Sequence, residues 1–215
     1  VPEEVAQRAF NDMVALGAVA TPELVEIYTT DDEPDHRRWV AARALGHIGG
    51  KDATQALLAG LGEPDFLSRI GAASALGVLK TDVARTALEE ALFDPSMEVR
   101  CTAADGLAEI GHAASSLPLT RSLTSPESFH RGKSLPVRGH IVLALGRTGG
   151  ETAIEALVGV LDDSDMALRA MTIKALEEAT GANPNNQIGD GYTTTPAQVQ
   201  GWKDWWAGHA SARGI

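Results

Sequence analysis

The sequence predicts an all-α fold, a right-handed α-solenoid (α-α superhelix) of about six antiparallel helix pairs. Three observations predict it. A marker leucine recurs at spacings of 31, 31, 38 and 31 residues, an arginine lies seven residues before each marker leucine, and small residues fill further columns in the same register. A fixed period of this length is typical of repeat architectures, in which each unit buries its apolar face only against its neighbours.

The columns of the repeat can be read directly from the chain. The marker leucines are Leu45, Leu76, Leu107, Leu145 and Leu176, and the arginines are Arg38, Arg69, Arg100, Arg138 and Arg169. Six residues before four of these arginines lies an acid, namely Asp32, Glu63, Asp94 and Asp163. Because three columns of different chemistry share one register, the repeat is not a by-product of composition.

Each repeat predicts two helices. In the first, "EVRCTAADGLAEIG", apolar residues recur at helical spacing, and a glycine ends the helix, as at Gly49 and Gly111. The second, "TDVARTALEEAL", is amphipathic and places Glu89 and Glu90 opposite its apolar face. The small residues of the first helices allow neighbouring pairs to approach closely.

The acid, the arginine and the "AARALG" and "AASALG" segments resemble HEAT repeats, in particular the short bacterial type named after the phycobilisome lyases. The resemblance covers residues 31–181, and residues 1–30 are expected to form a degenerate N-terminal helix pair. It implies that the acid and arginine columns form a ladder between stacked units, with Asp32/Arg38, Glu63/Arg69, Asp94/Arg100 and Asp163/Arg169 as its pairs. Charged groups that are partly buried need such partners.

The longer spacing of 38 residues marks an insertion near residues 125–136. In this repeat the acid column is occupied by Gly132, so Arg138 is expected to lose its regular partner. The insertion collects Phe129, His130, Arg131 and Lys133, which favours a partner contact, although a tolerated surface loop is the alternative. Its "GKS" lacks the strand and glycine-rich turn of a phosphate-binding loop, so no nucleotide site is predicted.

Residues 182–215 are expected to form a loop and a capping helix. The helix should begin near Pro196 with Thr195 as its N-cap, and "QGWKDWWAGH" places Trp202, Trp205 and Trp206 on one stripe. An open solenoid needs such a cap to cover its last apolar face, and a partner-binding patch is the alternative. The loop holds Asn183, Asn185, Asn186 and Asp190, but one carboxylate is too few for calcium.

Composition limits the function classes. The net charge of −11 argues against a nucleic-acid partner, and no apolar run approaches the roughly 18 residues of a membrane span. No GxSxG, GxGxxG, HExxH or CxxC motif occurs, and the single cysteine, Cys101, excludes a disulfide framework. We therefore expect no catalytic residues, no metal and no cofactor, and the sequence does not define the compartment.

The function that follows is a non-catalytic scaffold or adaptor that binds another protein or peptide. The second helices should line the concave face, with exposed candidates for partner binding at Glu89, Glu90, Arg121 and Glu155, besides the insertion and Arg138. The alternative is a lyase- or chaperone-like subunit that acts on a bound chromophore or modified protein, since the resembled repeats take their name from such enzymes. A third alternative is a structural module of a longer chain, because the sequence begins at Val1 without Met.

Overall fold

The computed structural model describes residues 3–30, 32–185 and 194–213, and in these ranges the protein is almost entirely α-helical. The predicted class, all-α with stacked helix pairs, is confirmed. The helices are α1 Glu3–Ala15, α2 Thr21–Thr29, α3 Asp35–Ile48, α4 Lys51–Gly60, α5 Phe66–Leu79, α6 Asp82–Ala91, α7 Met97–Ile110, α8 Ser116–Thr124, α9 Val137–Thr148, α10 Gly150–Val160, α11 Met166–Thr180 and α12 Pro196–Arg213. None of the described helices combines the length and apolarity that a membrane crossing requires.

The chain divides into two compact units, with the boundary between Ile110 and Gly111. In the first unit the first helices of successive pairs, α3, α5 and α7, pack side by side. The second helices α4 and α6 each lie between two of these first helices, and α2 covers the start of the stack against α3 and α4. In the second unit α9 packs against α11, and α8 and α10 pack against this pair of helices.

The first helices touch through small residues, as the alanine and glycine columns predict. A Cβ on Gly77 of α5 would lie 2.7 Å from the Cα of Gly106 of α7, so the two backbones are in direct contact. The same approach joins Gly46 to Ala75 and Gly146 to Ala175. The marker leucines beside these contacts are fully buried, and they form the centre of each unit's core.

The insertion folds into a β-hairpin. Strand β1 (Phe129–His130) pairs antiparallel with β2 (Lys133–Ser134), with Phe129 opposite Ser134 and His130 opposite Lys133. The two turn residues, Arg131 and Gly132, both have positive φ, at 51° and 75°. This is the backbone that a two-residue hairpin turn of type I′ requires.

Helix α12 packs on α10 and α11. Its start is a capping box, in which the Gln198 amide donates to Thr195 Oγ1 at 3.2 Å and the Thr195 amide donates to Gln198 Oε1 at 2.9 Å. Asn185, just before the gap in the described residues, donates from Nδ2 to the Ala197 carbonyl at 3.1 Å. Asn186 and Asp190, which the sequence analysis considered for calcium, lie outside the described residues.

Candidate functional site

A cleft of about 200 Å³ opens in the first unit between the end of α2 and the N-terminal halves of α3 and α5. Most of its wall is apolar. The indole of Trp39, 43% exposed, forms one side, and it lies over Gly71, where a Cβ would be 3.5 Å from the ring. Because Gly71 has no side chain, the ring is seated on the backbone of α5 and presents its other surface to the cleft. The remaining lining residues are Tyr28, Asp35, His36, Arg38, Ala42, Leu67 and Ser68.

Tyr28 closes the cleft on the side of α2. Its side chain is only 6% exposed, and its hydroxyl has no hydrogen-bond partner among the described residues. The hydroxyl packs against Gly60, where even a Cβ would overlap it. Burial, together with the negative charge of Glu63, raises the pKa of Tyr28 to about 12, although the charge of Arg38 opposes the shift. The phenol is therefore neutral at ordinary pH and keeps a proton to donate.

The polar end of the cleft is formed by Arg38 and carboxylates. Arg38 Nη2 lies 2.8 Å from Asp35 Oδ1 and 3.9 Å from Asp65 Oδ2, and Nη1 donates to Ser68 Oγ at 3.1 Å. The pairing of Arg38 with Asp32 that the resemblance implied is wrong. Asp35 lies one helical turn away on the same helix and Asp65 caps α5, whereas Asp32 is exposed in the turn before α3.

The ladder of the other pairs follows a different rule from the one the resemblance implied. Arg69 receives the backbone carbonyls of Glu63 and Pro64 at 2.9 Å, and its Nε and Nη2 donate to the carboxylate of Asp94 at 2.8 and 3.0 Å. The acid of a repeat thus offers its carbonyl to its own arginine and its carboxylate to the arginine of the preceding repeat. Arg100 likewise donates to the carbonyl of Asp94 at 2.8 Å. In the second unit Arg169 donates to the carbonyl of Asp163.

The same rule corrects the expectation for Arg138. This arginine has not lost its partner, since its Nη1 donates to Asp163 Oδ2 at 2.6 Å. The side chain reaches forward to the acid of the next pair, so Gly132 in its own acid column does not matter. Burial favours the protonated form of Asp163, but the amide of Asp165 and the guanidinium of Arg138 outweigh it, and the pKa lies below its usual 3.8.

The other predicted binding residues of the insertion lie on the hairpin. Phe129 is half-buried beneath the guanidinium of Arg138, whose Cζ lies 4.4 Å from the ring centroid. His130, Arg131 and Lys133 are exposed around the turn. The hairpin therefore separates an anchoring aromatic ring from three outward-pointing basic side chains.

The candidates on the second helices are less uniform than the sequence suggested. Glu90, Arg121 and Glu155 are exposed. Glu89 is not a surface acid, because its side chain is 15% exposed and its Oε1 accepts from Arg85 Nη1 at 2.6 Å. The i,i+4 spacing of these two residues on α6 explains the pair.

The tryptophan stripe of α12 is graded in burial. Trp202 is 2% exposed, whereas Trp205 and Trp206 are half-buried. The Trp202 and Trp205 rings meet edge to face at 5.5 Å, and His209 stacks on Trp205 at 5.1 Å. Trp202 anchors the helix, and the other two rings and His209 form a partly exposed aromatic edge.

Neither a metal nor a thiol nucleophile emerges from the described part of the chain. No group of three His, Cys, Asp or Glu side chains there is arranged to hold a metal ion. Burial, aided by the charge of Asp105, raises the pKa of the Cys101 thiol to about 11, so the thiol is protonated at neutral pH. The chemistry of the α3–α5 cleft is that of binding, through a stacking surface, a neutral phenol and a carboxylate–guanidinium pair.

The chain belongs to the HEAT-repeat family. The family model described as HEAT repeats matches residues 21–96 and 54–133, which together exceed half of the chain, and the PBS lyase HEAT-like repeat matches residues 137–163. The more particular resemblance to the lyase type is confirmed by this second match. A search of curated proteins gives no significant match.

Solved structures with the same fold include two enzymes. One is the complex of CpcE and CpcF of phycocyanin lyase from Nostoc sp. PCC7120, at 22% identity and a TM-score of 0.63 over 75% of this chain and 65% of that chain. The other is human deoxyhypusine hydroxylase in complex with glycerol, at 19% identity and a TM-score of 0.53 over 81% and 78% of the two chains. This chain thus spans just under two thirds of the lyase chain. At these identities the likeness shows the fold.

The prediction that the chain is not an enzyme is wrong. Its repeats match a model named after lyases, and the two neighbours above are a lyase and a hydroxylase. The prediction relied on missing catalytic motifs, but such motifs describe other folds, and a repeat protein can assemble a site from residues of several units. The sequence analysis also missed the α3–α5 cleft. Its only signal was Trp39 directly after the repeat arginine, with Gly71 facing it from the next repeat.

Proposed function

We propose that this HEAT-repeat protein is a lyase- or chaperone-like subunit that holds a chromophore, or another flat conjugated group of a modified protein, in the α3–α5 cleft. The observation that carries the proposal is the half-exposed indole of Trp39, which forms an apolar wall next to a carboxylate–guanidinium pair. The match to the lyase-type repeat and the shared fold with phycocyanin lyase support it.

The cleft offers three interactions to such a group. The Trp39 face stacks on a conjugated ring, and an aromatic pair of this kind contributes about 0.5–1.5 kcal/mol beyond the burial of area. The carboxylate of Asp35 accepts a hydrogen bond from a ring N–H, and the guanidinium of Arg38 neutralises an acidic substituent. The Tyr28 hydroxyl adds one buried donor.

The size of the cleft indicates a subunit that shares its ligand. Ligand pockets usually enclose about 300–1,000 Å³, and this cleft encloses about 200 Å³. It therefore covers part of a large chromophore and leaves the rest for a protein that carries or receives it. The lyase structure of the same fold is itself a complex of two named chains, and we propose that this chain also works with a protein partner.

A titration with biliverdin, a linear tetrapyrrole, tests the proposal. Binding is followed by the visible absorption of the pigment and by quenching of tryptophan fluorescence, in the intact protein and in three variants. Trp39→Ala removes the stacking wall, and Gly71→Leu fills the cleft. Phe93→Ala is the matched control, because Phe93 is 52% exposed in the same unit but does not line the cleft.

We expect biliverdin to bind the intact protein and Phe93→Ala equally, and Trp39→Ala and Gly71→Leu at least about fivefold more weakly, the effect of losing about 1 kcal/mol of stacking. The melting temperatures of all four proteins, measured by circular dichroism, show whether the fold is intact. Binding that survives in both cleft variants, or no binding to the intact protein, refutes the proposal.

A further inference from the structure

The hairpin of the insertion concentrates positive charge on an acidic protein. The chain carries a net charge of −11, yet Arg131 and Lys133, with His130 beside them, project from one turn and are exposed. The only carboxylate on the same segment is that of Glu127, at the base of the hairpin, where Ser125 Oγ donates to it. The tip is thus a small basic surface.

The hairpin is held rigidly at its base. The Ser128 hydroxyl is buried and donates to the Ser122 carbonyl at 2.7 Å, and the Leu135 amide donates to the Ser128 carbonyl at 3.0 Å. Arg138 covers the ring of Phe129 and is fixed by Asp163 and by the Leu123 carbonyl. A surface that is ordered before binding loses little conformational entropy when a partner docks.

An apolar cleft lies directly beside the hairpin. Strand β2 runs into Leu135 and Pro136, which form one wall of a cleft of about 200 Å³ between α9 and the start of α11. Met171 lies across Gly139 on its floor, with Cε 3.0 Å from where a Cβ would stand. Methionine adapts its shape to different apolar side chains, which suits a binding floor.

The charges around this cleft differ from those at the hairpin tip. Asp165 lines the cleft, and its carboxylate accepts from the amides of Ala167 and Leu168 at the start of α11. Asp163 is occupied by Arg138. A second carboxylate from a ligand is therefore unfavourable in the cleft and favourable only over Arg131 and Lys133.

We propose that the hairpin tip and this neighbouring cleft together form a docking surface for a partner protein segment in which acidic residues are followed by an apolar side chain. The acidic residues lie over Arg131 and Lys133, and the apolar side chain enters the cleft between Leu135 and Met171. The proposal concerns the second unit alone and does not depend on the chromophore cleft of the first.

Fluorescence anisotropy with a labelled peptide tests the surface. The probe is a twelve-residue peptide with five consecutive Asp and Glu residues followed by one Leu, compared with versions in which the acids are amides or the Leu is Ser. The first variant, Arg131→Glu/Lys133→Glu, reverses the charge of the tip, and the second, Ala167→Trp, fills the cleft from an exposed position. Lys51→Glu/Lys80→Glu is the control, because it changes the net charge equally at exposed sites of the other unit.

We expect the charge reversal to weaken binding of the acidic Leu peptide at least about tenfold, whereas the control pair leaves it within about twofold. The effect should shrink between about 50 mM and about 300 mM salt, because screening weakens exposed charge pairs. Ala167→Trp should weaken the Leu peptide to the level of the Ser peptide, which it binds as the unchanged protein does.

Three results would overturn the inference. The first is equal loss in the control pair, which would make the effect one of net charge alone. The second is binding of the amide peptide as tight as that of the acidic one. The third is binding of a single-stranded oligonucleotide of equal charge as tight as that of the peptide, which would make the basic tip unspecific for protein.

Discussion

Replacement of Asp94 tests the rule by which the repeat arginines are satisfied. Its carboxylate accepts from Arg69 Nε and Nη2 at 2.8 and 3.0 Å and from the Ser96 amide at 2.7 Å. The side chains of Arg69 and Asp94 are only 12% and 10% exposed. Asp94→Ala therefore leaves a guanidinium and an amide without their acceptor in a place that water reaches poorly.

The magnitude follows from the number of bonds lost. Hydrogen bonds to charged groups contribute about 1.5–3 kcal/mol and a neutral amide bond about 0.5–1.5 kcal/mol. We expect Asp94→Ala to lower the free energy of unfolding by about 2–4 kcal/mol, and Asp94→Asn, which keeps one acceptor oxygen, by about half as much. Glu33→Gln is the control, because Glu33 pairs with an Arg37 that is 51% exposed, and such a pair contributes about 0.5 kcal/mol.

Urea unfolding followed by circular dichroism gives these free energies, and hydrogen exchange of the α5 and α7 amides assigns the loss to the first unit. A double-mutant cycle of Asp94→Ala with Arg69→Ala should give a coupling energy of about 1.5–3 kcal/mol. A cost for Asp94→Ala below about 1 kcal/mol, or a coupling no larger than that of the exposed pair, would show that the ladder does not stabilise the stack.

Three further predictions concern packing and ionisation. Gly77→Val should cost about 2–3 kcal/mol in urea unfolding, because its Cβ meets the Gly106 backbone, whereas Gly159→Ala, in open space on α10, should stabilise by about 0.5–1 kcal/mol; equal effects would contradict the close approach. Asp163 has a lowered pKa, so its stabilising contribution is complete above the usual 3.8 and is lost as the pH falls below it; Asp163→Asn should flatten the acid limb of a stability–pH curve, and an unchanged limb would exclude the ion pair as its cause. Ultraviolet titration should show one of the two tyrosines ionising at about 12, and this phase should vanish in Tyr28→Phe.

The stacking of the pairs could be predicted because the sequence states it in several columns at once. Gly46 and Gly77 follow marker leucines, and Ala75 and Gly106 precede them, so the contacts between first helices are visible as a pattern of small residues. The direction of the ion pairs could not be predicted, since Asp163 is as close in register to Arg169 as the family pattern requires, yet its carboxylate serves Arg138. Side-chain reach across 25 residues leaves no periodic trace.

The two clefts are one feature of the repeat, altered by two residues. In the first unit the position after the repeat arginine is Trp39 and the facing position, two after the next arginine, is Gly71; in the second unit they are Gly139 and Met171. One large and one absent side chain fit together in both places, but the large one comes from opposite helices. A rigid indole beside Arg38 makes a wall suited to a flat ring, and a flexible thioether beside the hairpin makes a floor suited to an aliphatic side chain. The same solenoid geometry therefore supplies two sites of different chemistry, and the composition of the chain could not distinguish them because each site depends on a pair of columns that carry no catalytic motif.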